Sequence, residues 1–291
     1  MPSELTPEQI RQLMQGIAIP PQPQVMVDLQ MEQFSPTCSV RSIAKLISQD
    51  VGLSGSILKT VNSPFFQHRN QISSISQAVN ILGVDSVVNL VNALSIRGAL
   101  SDDDIIALGR FWDCAMEVAM IAAVIAKQIG FPTPDEAYTL GLFHDCGVAL
   151  LMGRSDDYAT ILQEAYARPN DSITHTENQL LNTNHAVVGY YIAKSWNLPR
   201  YLCEAIHEHH RAELTFAEES AEPKKKTLLA ILKMAEHICG SYKILGEQDV
   251  DHEWNRVGEA ILLYVGLSLY DFETMIGQIS EMGLGNQDYF N

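Results

Sequence analysis

The chain has 291 residues, a formal charge of −16, and 46% hydrophobic against 19% charged residues. That is the composition of a folded protein with a sizeable core, and its acidic surface repels nucleic-acid backbones and anionic membranes. The five cysteines are odd in number and scattered, which makes neither a disulfide framework nor a zinc-knuckle spacing and points to a reducing cytoplasm.

From the start, MPSELTPEQIRQLMQG is polar and amphipathic, so it predicts a helix over about 5–16 and no secretory signal. No apolar run reaches the roughly 18 residues of a membrane span. The prolines of IPPQPQ end that first helix and read as an extended lead-in. Helices are then predicted over Val25–Phe34 and Thr37–Gln49, the second from the stripe Val40, Ile43, Ala44 and Ile47. VGLSGSILKTVN forms the next and stops before Ser63-Pro64, because a residue preceding proline is pushed out of the α region. Ser74–Leu82 and Val84 to about Leu94 follow, on either side of Gly83.

Ser101-Asp102-Asp103-Asp104 has the composition of an N-cap and an acidic first turn. A domain boundary is expected there, dividing 1–102 from 103–291. The apolar run to Gly130 is a core helix that a break near Gly109 would shorten, and Thr133 or Pro134 opens a helix expected to carry His144 and Asp145. Further helices are expected over Tyr158–Ala167, Ile173–Leu181, AVVGYYIAKSW and YLCEAIHEHH. RAELTFAEESAEPKKK is polar and aperiodic and reads as a mobile loop, with Lys224-Lys225-Lys226 as solvated surface. TLLAILKMAEHIC is a helix ended by Gly240, and Asn255–Val265 and Ser268–Met282 complete the chain. No segment alternates long enough to be a strand, so the fold class is all-α.

The chemistry concentrates in LGLFHDCGVALL, where His144 and Asp145 stand in an apolar run. An imidazole beside a carboxylate is a mixed nitrogen and oxygen donor pair that suits iron, manganese or zinc. The plainer alternative is a buried histidine bonded to its neighbour. His185 and His209-His210 stand in similar apolar surroundings, which favours a common centre.

The order of these residues resembles the HD superfamily of metal-dependent phosphohydrolases, and most closely its HDOD branch, the HD-related output domain. The resemblance rests on IPPQPQV, LISQDVGLSGSILKTVNSPFF, SSISQAVNILGVDSVVNL, FWDCAMEVA, FHDCGVALL, NHAVVGYYIAKSWNLP, AIHEHH and KMAEHI. It implies an N-terminal helical lobe packed on an HD-like helical domain. It also implies a metal site drawn from His144, Asp145, His185, His209, His210 and Glu236.

Three positions depart from the catalytic pattern. Cys114 stands where a first histidine ligand is expected, Glu236 replaces a late aspartate, and Val148 replaces a lysine that bears on phosphate. Cys114 reads either as a thiolate ligand, which shifts the preference to zinc or iron, or as a small buried apolar residue. The resemblance therefore implies a non-catalytic bacterial signalling module, holding at most one divalent ion and acting through a signalling protein or a small phosphate-containing ligand. The alternative is a metal-dependent phosphohydrolase or phosphodiesterase on a nucleotide-type substrate, with Asp145 anchoring metal and attacking water.

Overall fold

The computed structural model describes residues 14, 17, 23–62, 71–98, 109–155, 157–218 and 220–285. Among them every regular element is a helix, in agreement with the all-α expectation. Of the expected helix over 5–16 only Met14 is described, and it is helical; the Ser63-Pro64 stop and the boundary between 102 and 103 lie outside the described residues.

The first helices are α1 (Gln24–Gln33), α2 (Val40–Ile47), α3 (Val51–Val61), α4 (Ile75–Leu82) and α5 (Val84–Gly98). Three of their starts follow side chains able to take an orphan backbone N–H. Ser39 accepts from Ser42, Asp50 from Leu53, and Ser74 from Gln77. Asn62, from the NSPFF motif, acts as a clasp. Its Oδ1 accepts the Ile72 N–H at 2.7 Å and its Nδ2 donates to Ile72 O at 2.8 Å. One side chain thereby ties the end of α3 to the approach to α4.

The second part runs through α6 (Gly109–Gln128), α7 (Pro134–Phe143), α8 (Cys146–Met152), α9 (Tyr158–Tyr166), α10 (Ile173–Leu181) and α11 (His185–Ser195). It continues with α12 (Arg200–Glu208), a 3₁₀ turn over His209–Arg211, α13 (Ala212–Ala217), α14 (Pro223–Cys239), α15 (Ser241–Ile244), α16 (His252–Val265) and α17 (Leu269–Glu281). Helix α14 is the axis. Eleven of its residues, from Leu228 to Cys239, are buried, because α6, α7, α12 and α16 all pack on it. Gly240 ends it in the left-handed conformation at φ 79°, which favours glycine.

The N-terminal helices share one buried apolar cluster with the rest. Helix α5 lies on α7, where Asn89 Nδ2 donates to Asp135 Oδ2 at 2.6 Å. No single helix among the described residues is long and apolar enough to cross a membrane.

Two local expectations are corrected. His144 and Asp145 do not ride within one helix: α7 ends at Phe143 and α8 begins at Cys146, so the pair forms the corner between them. The segment expected as a mobile loop contains α13 and the first turn of α14. It is held by polar contacts that carry no periodic signature. Arg256 bonds Glu213 and Thr215 Oγ1 donates to Glu208. Pro223 occupies the first turn of α14, where its missing N–H is no loss. The basic cluster is also more than solvated surface: Lys224 pairs with Glu136 at 2.8 Å and Lys225 with Glu208 at 2.9 Å, while Lys226 Nζ donates to Phe216 O at 3.2 Å.

Candidate metal centre

Three glycines allow the helices that carry the site to approach closely. A Cβ on Gly141 of α7 would lie 2.7 Å from Ala119 Cα of α6. One on Gly147 of α8 would lie 2.1 Å from the His185 carbonyl oxygen, at the start of α11. One on Gly189 would meet Ile206 Cγ2 of α12 at 3.0 Å. The corner residue Asp145 is thus pressed against the first turn of α11 and the turn that follows α12.

Asp145, His185, His209 and His210 each offer a donor atom there, all within 4.8 Å of one another and all buried. Asp145 Oδ1 lies 3.3 Å from His185 Nε2 and 3.2 Å from His209 Nε2, and those two ring nitrogens are 3.3 Å apart. His144 Nε2 lies 3.2 Å from Asp145 Oδ2 and 3.6 Å from Glu236 Oε1. The structure therefore brings the six sequence-predicted residues together: His144, His185, His209 and His210 lie around the Asp145 carboxylate, and Glu236 approaches through His144.

The far side of each ring fixes what the near side presents. His144 Nδ1 meets Gly141 O at 2.7 Å and His209 Nδ1 meets Ile206 O at 2.7 Å. His185 Nδ1 meets Glu177 at 2.8 Å and His210 Nδ1 meets Glu253 at 2.9 Å. Carbonyls and carboxylates only accept, so every Nδ1 carries the proton. A neutral ring must then turn a bare Nε2 lone pair inward, the tautomer that ligates a metal.

His185 and His209 turn their Nε2 atoms to one Asp145 oxygen, and His210 Nε2 is buried without a hydrogen-bond partner. Such a set of acceptors is costly to bury unless a cation or protons sit among them. Three imidazoles and a carboxylate fit iron, zinc or manganese.

Electrostatics divides the histidines into two groups. Burial, then the neighbouring His210, pushes His209 well below the usual imidazole range. Burial, then the Lys233 ammonium, does the same to His210. Burial also pulls on His144, but Asp145 and then Glu236 outweigh it and hold that ring up to about 9. Burial works against the Asp145 carboxylate, yet His144 and the other rings outweigh it and keep the group well below the carboxylate range. Burial pulls on His185 too, but Glu177 and then Asp145 outweigh it, so His209 and His210 are held low while His144 and His185 are held high.

Other residues fall differently. Cys114 is buried but turns to Ser241 Oγ at 3.6 Å and Cys239 Sγ at 3.8 Å. Val148 is in the apolar core. His175 bonds the exposed Gln179, His237 pairs with Asp251 at 2.8 Å, and His207 packs edge-on against Tyr190.

Sequence reasoning missed the supporting residues Tyr158, Glu177, Lys233 and Glu253. Tyr158 O–H donates to Glu177, which receives His185 Nδ1. Glu177 lies eight positions before His185 and Glu253 lies 43 after His210, with no periodicity linking either pair. Only Lys233, one helical turn before Glu236, offered a legible signal. Glu177→Gln should weaken metal binding about 10–100-fold, since it removes the charge that orients His185 and raises its basicity. Chelator competition reads this directly, and an unchanged affinity would remove Glu177 from the centre.

Comparison with known proteins gives a consistent family. The HDOD domain family model matches residues 19–212. A crystal structure of an HDOD domain protein with unknown function from Geobacter sulfurreducens superposes with a TM-score of 0.68 at 24% identity, covering 94% of this chain and 92% of that one. A candidate phosphohydrolase from Shewanella amazonensis superposes with a TM-score of 0.66 at 23% identity, covering 94% and 96%. An uncharacterized protein of Treponema pallidum (strain Nichols) is 29% identical over 212 residues, which is 72% of this chain but 40% of that protein. The chain thus spans less than half the length of that curated relative.

Proposed function

The chain belongs to the HDOD domain family, and from that premise we propose that it works as a non-catalytic regulatory module of a bacterial signalling system, stabilised by a single divalent ion. The observation that carries this reading is the enclosure of the donor set. Asp145, His185, His209 and His210 are 3%, 1%, 0% and 3% exposed. A catalytic metal keeps a position open for water and substrate, whereas a structural one is closed off by protein donors. Asp145 and the three rings would hold iron, zinc or manganese there, which would cross-link the α7–α8 corner, the start of α11 and the turn after α12, while Glu177, Glu253 and the Ile206 carbonyl keep the rings aimed.

The surroundings also lack what phosphoryl chemistry requires. Val148 offers no charge, and Lys233 is tied to Glu236 at 2.8 Å and to Glu253 at 3.0 Å, so its ammonium is not free to face a phosphate. The net charge of −16 does not attract an anionic substrate. Output would then pass through contact with a signalling protein, in the cytoplasm.

The test is a panel of cyclic dinucleotides and simple phosphate esters, offered with manganese, iron and zinc in turn. His144→Ala and Asp145→Ala serve as controls for contaminating phosphatase. No turnover above those controls is expected. Hydrolysis near about 1 per second that disappears in both variants would establish an enzyme and overturn the reading.

A further inference from the structure

Beside the four-donor set the structure builds a second, incomplete one. His144 Nε2, Asp145 Oδ2 and Glu236 Oε1 converge, with separations of 3.2 Å and 3.6 Å from the ring nitrogen. With Asp145 shared between the two sets, this arrangement could bridge two ions. Yet Glu236 has turned its other oxygen to Lys233, whose Nζ lies 2.8 Å away and also 3.0 Å from Glu253 Oε2. Lys233 is 3% exposed on the central helix α14, so its charge cannot be shed to solvent by a rotamer change. Glu253, its second partner, also receives His210 Nδ1. The ammonium therefore joins both sets of donors through carboxylates.

We propose that Lys233 is a built-in cation that takes the place of a second metal ion and keeps the centre mononuclear. An ion placed among His144, Asp145 and Glu236 would stand one carboxylate away from a buried ammonium. Repulsion across so short and dry a gap is strong. Lys233 also ties up part of the Glu236 charge that such an ion would need. Ammonium supplies positive charge with no Lewis acidity, so the exchange preserves the electrostatic balance of the lobe while removing the means to clamp a phosphoryl group. Such a role for Lys233 rests on the single-ion reading above and supplies the residue that enforces it.

The experiment compares wild type, Lys233→Met and Lys233→Arg, each dialysed against Mn(II) alone. Bound manganese is counted by elemental analysis, and paramagnetic resonance asks whether two ions are magnetically coupled. Wild type and Lys233→Arg should each hold about one equivalent, and Lys233→Met about two with a coupled spectrum. One equivalent in both wild type and Lys233→Met overturns the inference and leaves the single-ion reading standing. Two equivalents in wild type also overturn it. None in any of the three overturns the metal reading and this inference together. Should Lys233→Met fail to fold with its carboxylates unmatched, Lys233→Met combined with Glu253→Gln removes one of them. That double variant is read by the same count, since the amide oxygen introduced at position 253 can still accept from His210 Nδ1.

Discussion

Replacing His209 and His210 together by alanine should strip the protein of bound metal and make its thermal stability indifferent to chelator. Those rings supply two of the four donors gathered within 4.8 Å. Binding at a closed four-donor site is worth about 10–16 kcal/mol for zinc at neutral pH, so losing half the donors should cost at least ~10⁴-fold in affinity. In wild type, metal bound only to the folded state raises the melting temperature by mass action, and a chelator reverses this.

The pH dependence has a definite sign. His209 and His210 are held well below their ordinary imidazole values, so protons compete for their lone pairs only in more acid solution than for a free imidazole. His185 behaves oppositely: burial works against its charge, but Glu177 and then Asp145 outweigh it and raise the ring. Protons therefore compete first at that donor, and metal content should be lower at about pH 6 than at about pH 7.5. Metal retained at the wild-type level by the double variant would move the ion away from these rings, to His144 and Glu236.

How far the sequence foretold this arrangement depended on the range of the interaction. Helices defined by local chemistry were legible: the expected starts at Ser74 and Ser268 are the positions whose side chains cap α4 and α17, and Gly240 stops α14 as expected. The six candidate residues could be picked out because motif order survives in the linear sequence, and the fold places them close together. The corner at His144-Asp145 was not, since a helical pattern runs straight through YTLGLFHDCGVALL and the break is imposed by the packing of α8 on α11. Helix α13 was hidden for a related reason. Its six residues are too few to be stable alone, and the Arg256 and Glu208 contacts that hold it come from distant or preceding segments. Cys114 shows the limit of motif alignment, because its position matches a ligand while its thiol turns to Cys239 and Ser241.

Gly147→Ala should be among the most damaging single-methyl changes in the chain. The added Cβ would lie 2.1 Å from the His185 carbonyl oxygen, 2.8 Å from its carbon and 3.0 Å from the Gly189 nitrogen. All three are backbone atoms, so no side chain can rotate aside and α8 must move off α11 by about an ångström or more. Overpacking a core usually costs about 1–3 kcal/mol, and a collision with backbone belongs at or beyond the upper end. For a chain of this size a loss of about 3 kcal/mol lowers the melting temperature by roughly 6–12 °C. The same displacement draws Asp145 away from His185, now 3.3 Å distant, so metal affinity should fall with stability even though no ligand has changed. Gly277→Ala is the matched control: it lies exposed in α17 with nothing within 4 Å of its added Cβ, and should stabilise by about 0.5–1 kcal/mol through helix propensity alone. Thermal melts of both variants, with and without chelator, separate the two contributions. If Gly147→Ala melted and bound metal like wild type, the close passage of α8 over the His185 carbonyl would not be what brings Asp145 to the histidines.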